Sequence, residues 1–447
     1  MRTLIVSDLH LGNGGEYDVF AGGDALPALL DHITESPARV FVNGDGVDFL
    51  MNEDPLEIDR ERAAAQARAI ADAPASAAVL HAFGRVLARG GEVVIRLGNH
   101  DVELALPEVQ AVLRAALGQP AEIAQRLSFQ LGDVPAILDV NGARILVTHG
   151  EHDDPWNRVD YGRLSRVDGY KYASGSVLVK QLMNPITREH GMRFVSLLKP
   201  DFQGGALTAL AVAPAIVKVL FQQASLDIAW QLFRKAGMAA SFNEEEDEDL
   251  GLSDRLAEAG LDVEETEALE ATLGDGPASF ADDDSVLSKA SIKLARAGLK
   301  LYAGVQRKLA GDVGDDYWNL EPDEAEWKDA QRLAKKYHVS AVVIGHTHAA
   351  RWKEDKGIVF ANTGTWIWLM QLPRADAGDE AWADFITELR NNPRLLPERQ
   401  KHAKTRSRFT AVLLEPLTAG GASMSLLEWD GKAINSLAQT RVPRATT

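Results

Sequence analysis

Thr3-Leu4-Ile5-Val6-Ser7-Asp8-Leu9-His10 decides the fold, because a short apolar, β-branched run ends directly on a carboxylate and an imidazole. A strand buried on both faces reads as such a run, and in open α/β sheets ligands bind beyond the carboxyl ends of strands. The same grammar recurs four times. Residues 40–43 lead into Gly44-Asp45, 92–97 into Gly98-Asn99-His100-Asp101, 144–148 into His149-Gly150, and 341–344 into Gly345-His346-Thr347-His348. Five strand ends therefore bring seven N/O donors to one crevice: Asp8, His10, Asp45, Asn99, His149, His346 and His348. That is the donor set of a two-metal site.

A carboxylate has two oxygens and can bridge two cations, so a binuclear site is best served by a shared Asp. Asp45, just past a strand end and between the other ligands in the chain, is the candidate. Neutral imidazoles mixed with carboxylates suit medium-hard divalent ions such as Mn²⁺, Fe or Zn²⁺. Two such ions roughly 3.5–4 Å apart lower the pKa of a bridging water and clamp both oxygens of an in-line displacement, and the natural electrophile is phosphorus. Five of the 11 histidines fall inside these motifs. His32, His81, His190, His338 and His402 read as surface or structural residues. His152, three residues past His149, is the one other imidazole worth testing.

The chain of 447 residues is long for one core, so an insertion or second domain is expected. With no cysteine, disulfides, thiolate metal sites and cysteine nucleophiles are excluded. The net charge of −18 is local: residues 241–284 carry 17 acidic residues against one basic, Arg255, and account for −16 of it. No charged-plus-apolar leader precedes the first strand, which argues against a cleaved secretory peptide and for a cytoplasmic protein.

Along the chain, residues 58–89 have helical spacing, and residues 137–140 and 144–148 form a hairpin around Asn141-Gly142. The next ligand pair waits until His346, a gap too long for a structureless loop. Residues 155–320 are therefore a mainly helical insertion or cap between two parts of a core, 1–154 and 321–447. Within it, residues 197–233 are the most apolar, residues 244–249 are a solvated acidic run, and residues 285–311 form a basic amphipathic helix carrying Lys289, Lys293, Arg296 and Lys300. After it, residues 323–337 read as a helix, and residues 341–344, 358–361, 409–414 and 423–427 as strands.

In order and local grammar these clusters resemble the calcineurin-like metallophosphoesterase superfamily, over residues 1–150 and about 340–365. The resemblance implies a four-layer α/β/β/α sandwich of two mixed sheets with the metal site at one edge and the helical insertion over it. It implies that Asp8, His10, Asp45 and His348 hold one metal, and Asp45, Asn99, His149 and His346 the other. His100 matches the family's histidine that contacts the phosphate and protonates or stabilises the leaving oxygen. Asp48 matches the second acid of Gly-Asp-x-x-Asp, which orients that histidine, as a catalytic imidazole requires.

Departures from the pattern narrow the branch. Protein Ser/Thr phosphatases of this superfamily carry a phosphate-gripping arginine where this chain has Phe49, and Gly-Asn-His-Glu where it has Gly98-Asn99-His100-Asp101. Recombination nucleases need a basic groove, and the catalytic half offers no basic run, so no nucleic-acid partner is expected. Ser7-Asp8-Leu9-His10-Leu11-Gly12 is similar to the UDP-2,3-diacylglucosamine pyrophosphatase group of lipid A synthesis, whose helical lid occupies the slot of this insertion. Apolar residues 206–221 and the basic helix would suit a lipid-linked substrate at the inner face of an anionic membrane, through peripheral contact. The competing readings are a buried lid helix for the first, and docking against the acidic segment for the second. The expected activity is hydrolysis of a phosphoester or pyrophosphate bond in a small-molecule, lipid-linked or nucleotide-containing substrate. A cyclic-nucleotide phosphodiesterase and a non-catalytic metal-binding scaffold are the alternatives.

Overall fold

The computed structural model describes residues 1–52, 54–164, 169–197, 318–370, 373, 379–403 and 405–445. The chain divides into two compact units: Met1–Lys180 with Asp316–Trp368 and Ser407–Thr447, and Gln181–Asp315 with Leu369–Arg406. The first unit contains every cluster singled out above.

Its strands are β1 (Arg2–Val6), β2 (Ala38–Asn43), β3 (Glu92–Arg96), β4 (Leu127–Gln130), β5 (Ala136–Val140), β6 (Ala143–Val147), β7 (Ala341–Ile344), β8 (Ala350–Asp355) and β9 (Ile358–Thr363). Three long strands, Phe409–Pro416, Ala422–Trp429 and Ile434–Val442, follow near the end of the chain. A seven-stranded sheet runs Ile434–Val442, Ala422–Trp429, Phe409–Pro416, β1, β2, β3, β4, and a five-stranded sheet runs β5, β6, β7, β9, β8. Both are mixed. β1, β2, β3 and β4 pair in parallel while β1 pairs antiparallel to Phe409–Pro416. β6, β7 and β9 are parallel between the antiparallel edges β5 and β8.

Alternation along the strands builds four layers. Leu4 and Val6 of β1, with Val40 and Val42 of β2, pack among helices α1 (Ala25–Ile33), α2 (Arg60–Asp72), α3 (Pro74–Ala88) and α4 (Pro107–Ala115). Ile5 and Phe41 face the other way, into a core shared with Ile145 and Val147 of β6 and Ala341 and Val343 of β7. Val342 and Ile344 then turn outward to the helix Glu324–Tyr337, meeting Ala330, Leu333 and Ala334. The result is the α/β/β/α sandwich expected from the sequence.

Residues 58–89 form two helices rather than one. Pro74 lacks an amide hydrogen and disfavours helical backbone before it, so Ala73 is extended (φ −67°, ψ 129°) and Pro74 opens α3. The hairpin turn at Asn141-Gly142 has both residues at positive φ (54° and 87°), as a tight two-residue connection demands. Asp323 caps its helix through a capping box with Glu326.

In the segment expected to be a helical insertion, the described residues hold the short helices Tyr161–Leu164, Ser174–Leu178 and Asn184–His190. The apolar residues 206–221, the acidic run and the basic helix lie outside the described residues. The second unit also contains the helix Asp379–Asn391 and a small sheet pairing Leu369–Met370 with Thr405–Arg406. There the Glu388 carboxylate accepts the amides of Lys401, His402 and Ala403. No helix among the described residues is long and apolar enough to cross a membrane.

Candidate metal centre

The loops that follow β1, β2 and β3 are stitched together by their own main chains. Asp8 N–H donates to Gly44 O (3.1 Å), His10 N–H to Asp45 O (2.9 Å), Asp48 N–H to Leu11 O (3.0 Å) and Phe49 N–H to His100 O (3.0 Å). Asp101 adds a side-chain clamp. Its Oδ2 accepts from Gly46 N (2.8 Å) and Val47 N (3.3 Å), and its Oδ1 from Gly98 N (2.6 Å). Burial and the neighbouring Asp45 charge push the Asp101 carboxyl well up, against the pull of these amides.

This stitching costs backbone strain. Asp8, His10, Asp45, His346 and His348 all sit at positive φ, between 49° and 70°, where non-glycine residues are uncommon and which clusters at functional sites. Close approach explains two motif glycines as well. A Cβ on Gly44 would lie 2.3 Å from the His149 ring, and one on Gly98 would lie 2.3 Å from Asp45 Oδ1.

The donors meet in the interior. His348 Nε2 lies 3.2 Å from Asp8 Oδ1 and 3.2 Å from His10 Nε2. Asp45 Oδ2 lies 3.3 Å from His149 Nε2 and 3.9 Å from His10 Nε2, so its carboxylate stands between the two imidazoles. Ligand atoms of Asp8, His10 and His348 fall within 4.8 Å of one another, as do those of Asp8, Asp45 and His149. Asp8 is therefore common to both groups. His346 is the exception. Its main-chain N–H donates to Asp8 Oδ2 (3.0 Å), but its Nε2 turns to Asp154 Oδ2 (3.2 Å), while its ring centroid is 5.2 Å from that of His149.

Imidazole tautomers follow from the partners. His10 Nδ1 is 2.8 Å from Asp48 Oδ2, and a carboxylate can only accept, so His10 carries its proton on Nδ1. His149 likewise donates Nδ1–H to Asn43 O at 2.8 Å. Both rings then aim Nε2 at the shared space. His100 Nδ1 is 3.2 Å from each Asp48 oxygen, and its own amide donates to Asp45 Oδ1 at 2.8 Å.

The residues fit a pair of divalent cations. Two imidazole nitrogens 3.2 Å apart can share at most one proton, whereas a cation would accept both lone pairs. Asn99 Oδ1 is buried and has no hydrogen-bond partner among the described residues, an arrangement that costs about 1–3 kcal/mol if nothing fills it. The electrostatics agree. Burial pulls the His149 pKa down, but the Asp45, Asp8 and Glu151 carboxylates outweigh it and lift it to about 10. Burial raises the Asp8 carboxyl, yet His149 and His348 bring it down to about 2. Asp45 is likewise held well below its ordinary value, burial being outweighed by His149 and His100. Carboxylate, imidazole and amide oxygen together select medium-hard divalent ions.

Two participants carried no sequence signal. Asp101 closes the Gly98-Asn99-His100-Asp101 motif with nothing in its spacing to mark it as a clamp, and Asp154 sits in Glu151-His152-Asp153-Asp154, where spacing does not separate it from its neighbours. Burial pushes the Asp154 carboxyl up, but the bond to His346 brings it down to about 2. His152 Nε2 lies 2.8 Å from Asp153 Oδ2, and the two group with Asp329 rather than with the donors above.

Residues 1–192 match the family model described as Calcineurin-like phosphoesterase. No curated protein matches the chain. A solved structure of a dimetal phosphatase from Danio rerio aligns over 99% of this chain and 99% of its own, at 10% identity and a TM-score of 0.34. The match covers the part of the chain that supplies Asp8, His10, Asp45, Asn99, His100 and His149, and it supports a metal-dependent phosphoesterase.

Proposed function

We propose that the protein hydrolyses a phosphoester or pyrophosphate bond in a small-molecule, lipid-linked or nucleotide-containing substrate, using two divalent ions, with Mn²⁺ the leading candidate and Fe or Zn²⁺ the others. The observation that carries this reading is the meeting of Asp8, His10, Asp45, His149 and His348 donor atoms within a few ångströms in a buried space. In it, Asp8, His10, Asp45 and His348 would hold one ion, and Asp45, Asn99, His149 and His346, whose Nε2 would have to leave Asp154, the other. When bound, such ions supply Lewis-acid stabilisation of phosphoryl oxygens and an acidified water.

The chain's own groups do the rest. Asp48 holds the Nδ1 proton of His100, leaving Nε2 as the position from which a proton passes to the departing oxygen. The same carboxylate orients His10, so one acid sets the geometry of a ligand and of the proton donor together. Burial of the whole set excludes bulk water and strengthens each electrostatic contact.

The pyrophosphate reading, nearest the UDP-2,3-diacylglucosamine pyrophosphatase group, rests on the Ser7–Gly12 motif and on the slot and composition of residues 198–317. It is consistent with a cytoplasmic protein in peripheral contact with a membrane and with no nucleic-acid partner. The test is a panel of phosphomonoester, phosphodiester, cyclic nucleotide and nucleoside-diphosphate lipid, with Mn²⁺ supplied. Turnover of the diphosphate lipid in preference to short-chain analogues supports the reading. Cyclic-nucleotide hydrolysis indifferent to detergent moves it to the phosphodiesterase alternative, and no hydrolysis of any member contradicts both.

A further inference from the structure

The helix Glu324–Tyr337 reaches beyond its own first turn. Glu326 uses its two carboxylate oxygens on different parts of the chain. Oε2 accepts the Asp323 N–H at 3.2 Å, closing the capping box, and Oε1 accepts the hydroxyl of Thr347 at 2.9 Å. The side chain is only 10% exposed, and Arg351 Nε lies 3.7 Å from Oε2. Thr347 is the residue between His346 and His348.

Thr347 Oγ1 is held from a second side. Asn362 Nδ2, on β9, donates to it at 2.8 Å and to Gly345 O at 3.0 Å, while Asn362 Oδ1 accepts the Gly364 N–H at 2.9 Å. The directions are forced. An amide nitrogen can only donate, so Oγ1 accepts from Asn362 and gives its own proton to the Glu326 carboxylate, which can only accept. One directed chain of hydrogen bonds thus runs from β9 through the middle of the Gly345-His346-Thr347-His348 loop to the helix. The loop needs such a hold: His346 and His348 both have left-handed backbone, at φ 70° and 58°, and Thr347 N–H closes a tight turn onto Gly345 O at 2.8 Å. Non-glycine residues persist in that region where their surroundings over-determine them.

We propose that Glu326 is a positioning residue for the metal centre: through Thr347 it fixes the loop that presents His346 and His348, one ligand for each ion. It touches neither imidazole, and acts by holding the backbone from which both project. Groups that orient metal ligands set affinity by keeping the ligands in place before the ion arrives. The inference rests on the assignment of His346 and His348 as ligands in the hydrolase reading above, but its test does not need turnover.

Calorimetric titration of the metal-free full chain with Mn²⁺ is the test. Thr347→Val, which keeps the shape and removes the hydroxyl, and Glu326→Ala should each weaken Mn²⁺ binding about tenfold, the lower end for groups that orient metal ligands. Combined, they should cost no more than the larger single loss, because both cut one chain of bonds. Thr347→Ser, which restores the hydroxyl, should bind as the wild type does. Asp323→Ala removes the other half of the capping box and should lower the urea midpoint while leaving Mn²⁺ affinity unchanged. Wild-type affinity in Thr347→Val, additive losses in the double variant, or a loss in Asp323→Ala equal to that in Glu326→Ala overturns the inference. No Mn²⁺ binding by the wild-type chain contradicts the metal reading and this inference together. Binding without turnover across the substrate panel contradicts the hydrolase reading alone, and the affinity ratios still report on Glu326.

Discussion

His10 and His100 turn their Nδ1 atoms to a carboxylate, Asp48, whereas His149 turns its own to the main-chain oxygen of Asn43. Both arrangements fix a tautomer, but only the first places a negative charge behind the ring. A carboxylate stabilises an imidazolium as it forms; a carbonyl orients the ring and does no more. On the proposed reading, the Asp48 side of the centre would hold and pass a proton. The proton that His149 binds so tightly is held from its other face, by Asp45 and Asp8, the groups a cation would neutralise. Second-neighbour chemistry, more than ligand identity, separates the two sides.

Removing the charge while keeping the shape is the most severe way to probe this contrast. Asp48→Asn should lower kcat by about a thousandfold or more, because it disturbs the orientation of two imidazoles at once. His100→Ala should cost about a hundredfold to a thousandfold in kcat while metal content, measured by elemental analysis, is retained. The excess of the first loss over the second reads out the share that passes through His10. Equal losses would mean that Asp48 serves His100 alone.

The Asp48 side also buries a second acid. Tyr172 donates to Glu103 Oε1 at 2.6 Å, and burial lifts the Glu103 pKa to about 7 from its ordinary 4.5. A raised carboxyl pKa favours the folded state when protonated, so this stabilisation is complete below about pH 4.5 and is lost as pH rises through about 7. The loss is about 3 kcal/mol by linkage. Urea unfolding across that range should show the decline, and Glu103→Gln, which still accepts from Tyr172, should flatten it. On the His149 side the probe is steric. Gly44→Ala would force a Cβ into the imidazole ring at a backbone φ of 86° and should destabilise by about 2 kcal/mol, read as a lower urea midpoint.

The central strands were legible because both their faces are buried: β1, β2, β3, β6 and β7 are near-continuous apolar runs, each ending on a donor. The strands β4, β8 and Ile434–Val442 gave no such run. Each lies at an edge of its sheet, and sequences such as Ala350-Arg351-Trp352-Lys353-Glu354-Asp355 mix charge with apolar residues because one side meets solvent. The hairpin edge β5 was readable only through its turn. At the centre, ligand-type residues announced themselves at strand ends, whereas Asp101 acts on three backbone amides brought close by folding, which no spacing encodes. The turn of His346 toward Asp154 is of the same kind, as are the left-handed conformations of five donor residues.

On the proposed reading, donors from Asp8 to His348 surround a pair of cations with Asp45 between them. Anomalous diffraction from crystals grown with Mn²⁺ tests it most directly. Two peaks roughly 3.5–4 Å apart are expected, one beside His10 and His348, the other beside Asn99 and His149, with the Asp45 carboxylate touching both. A single peak away from Asp45, or none at saturating Mn²⁺, would contradict it.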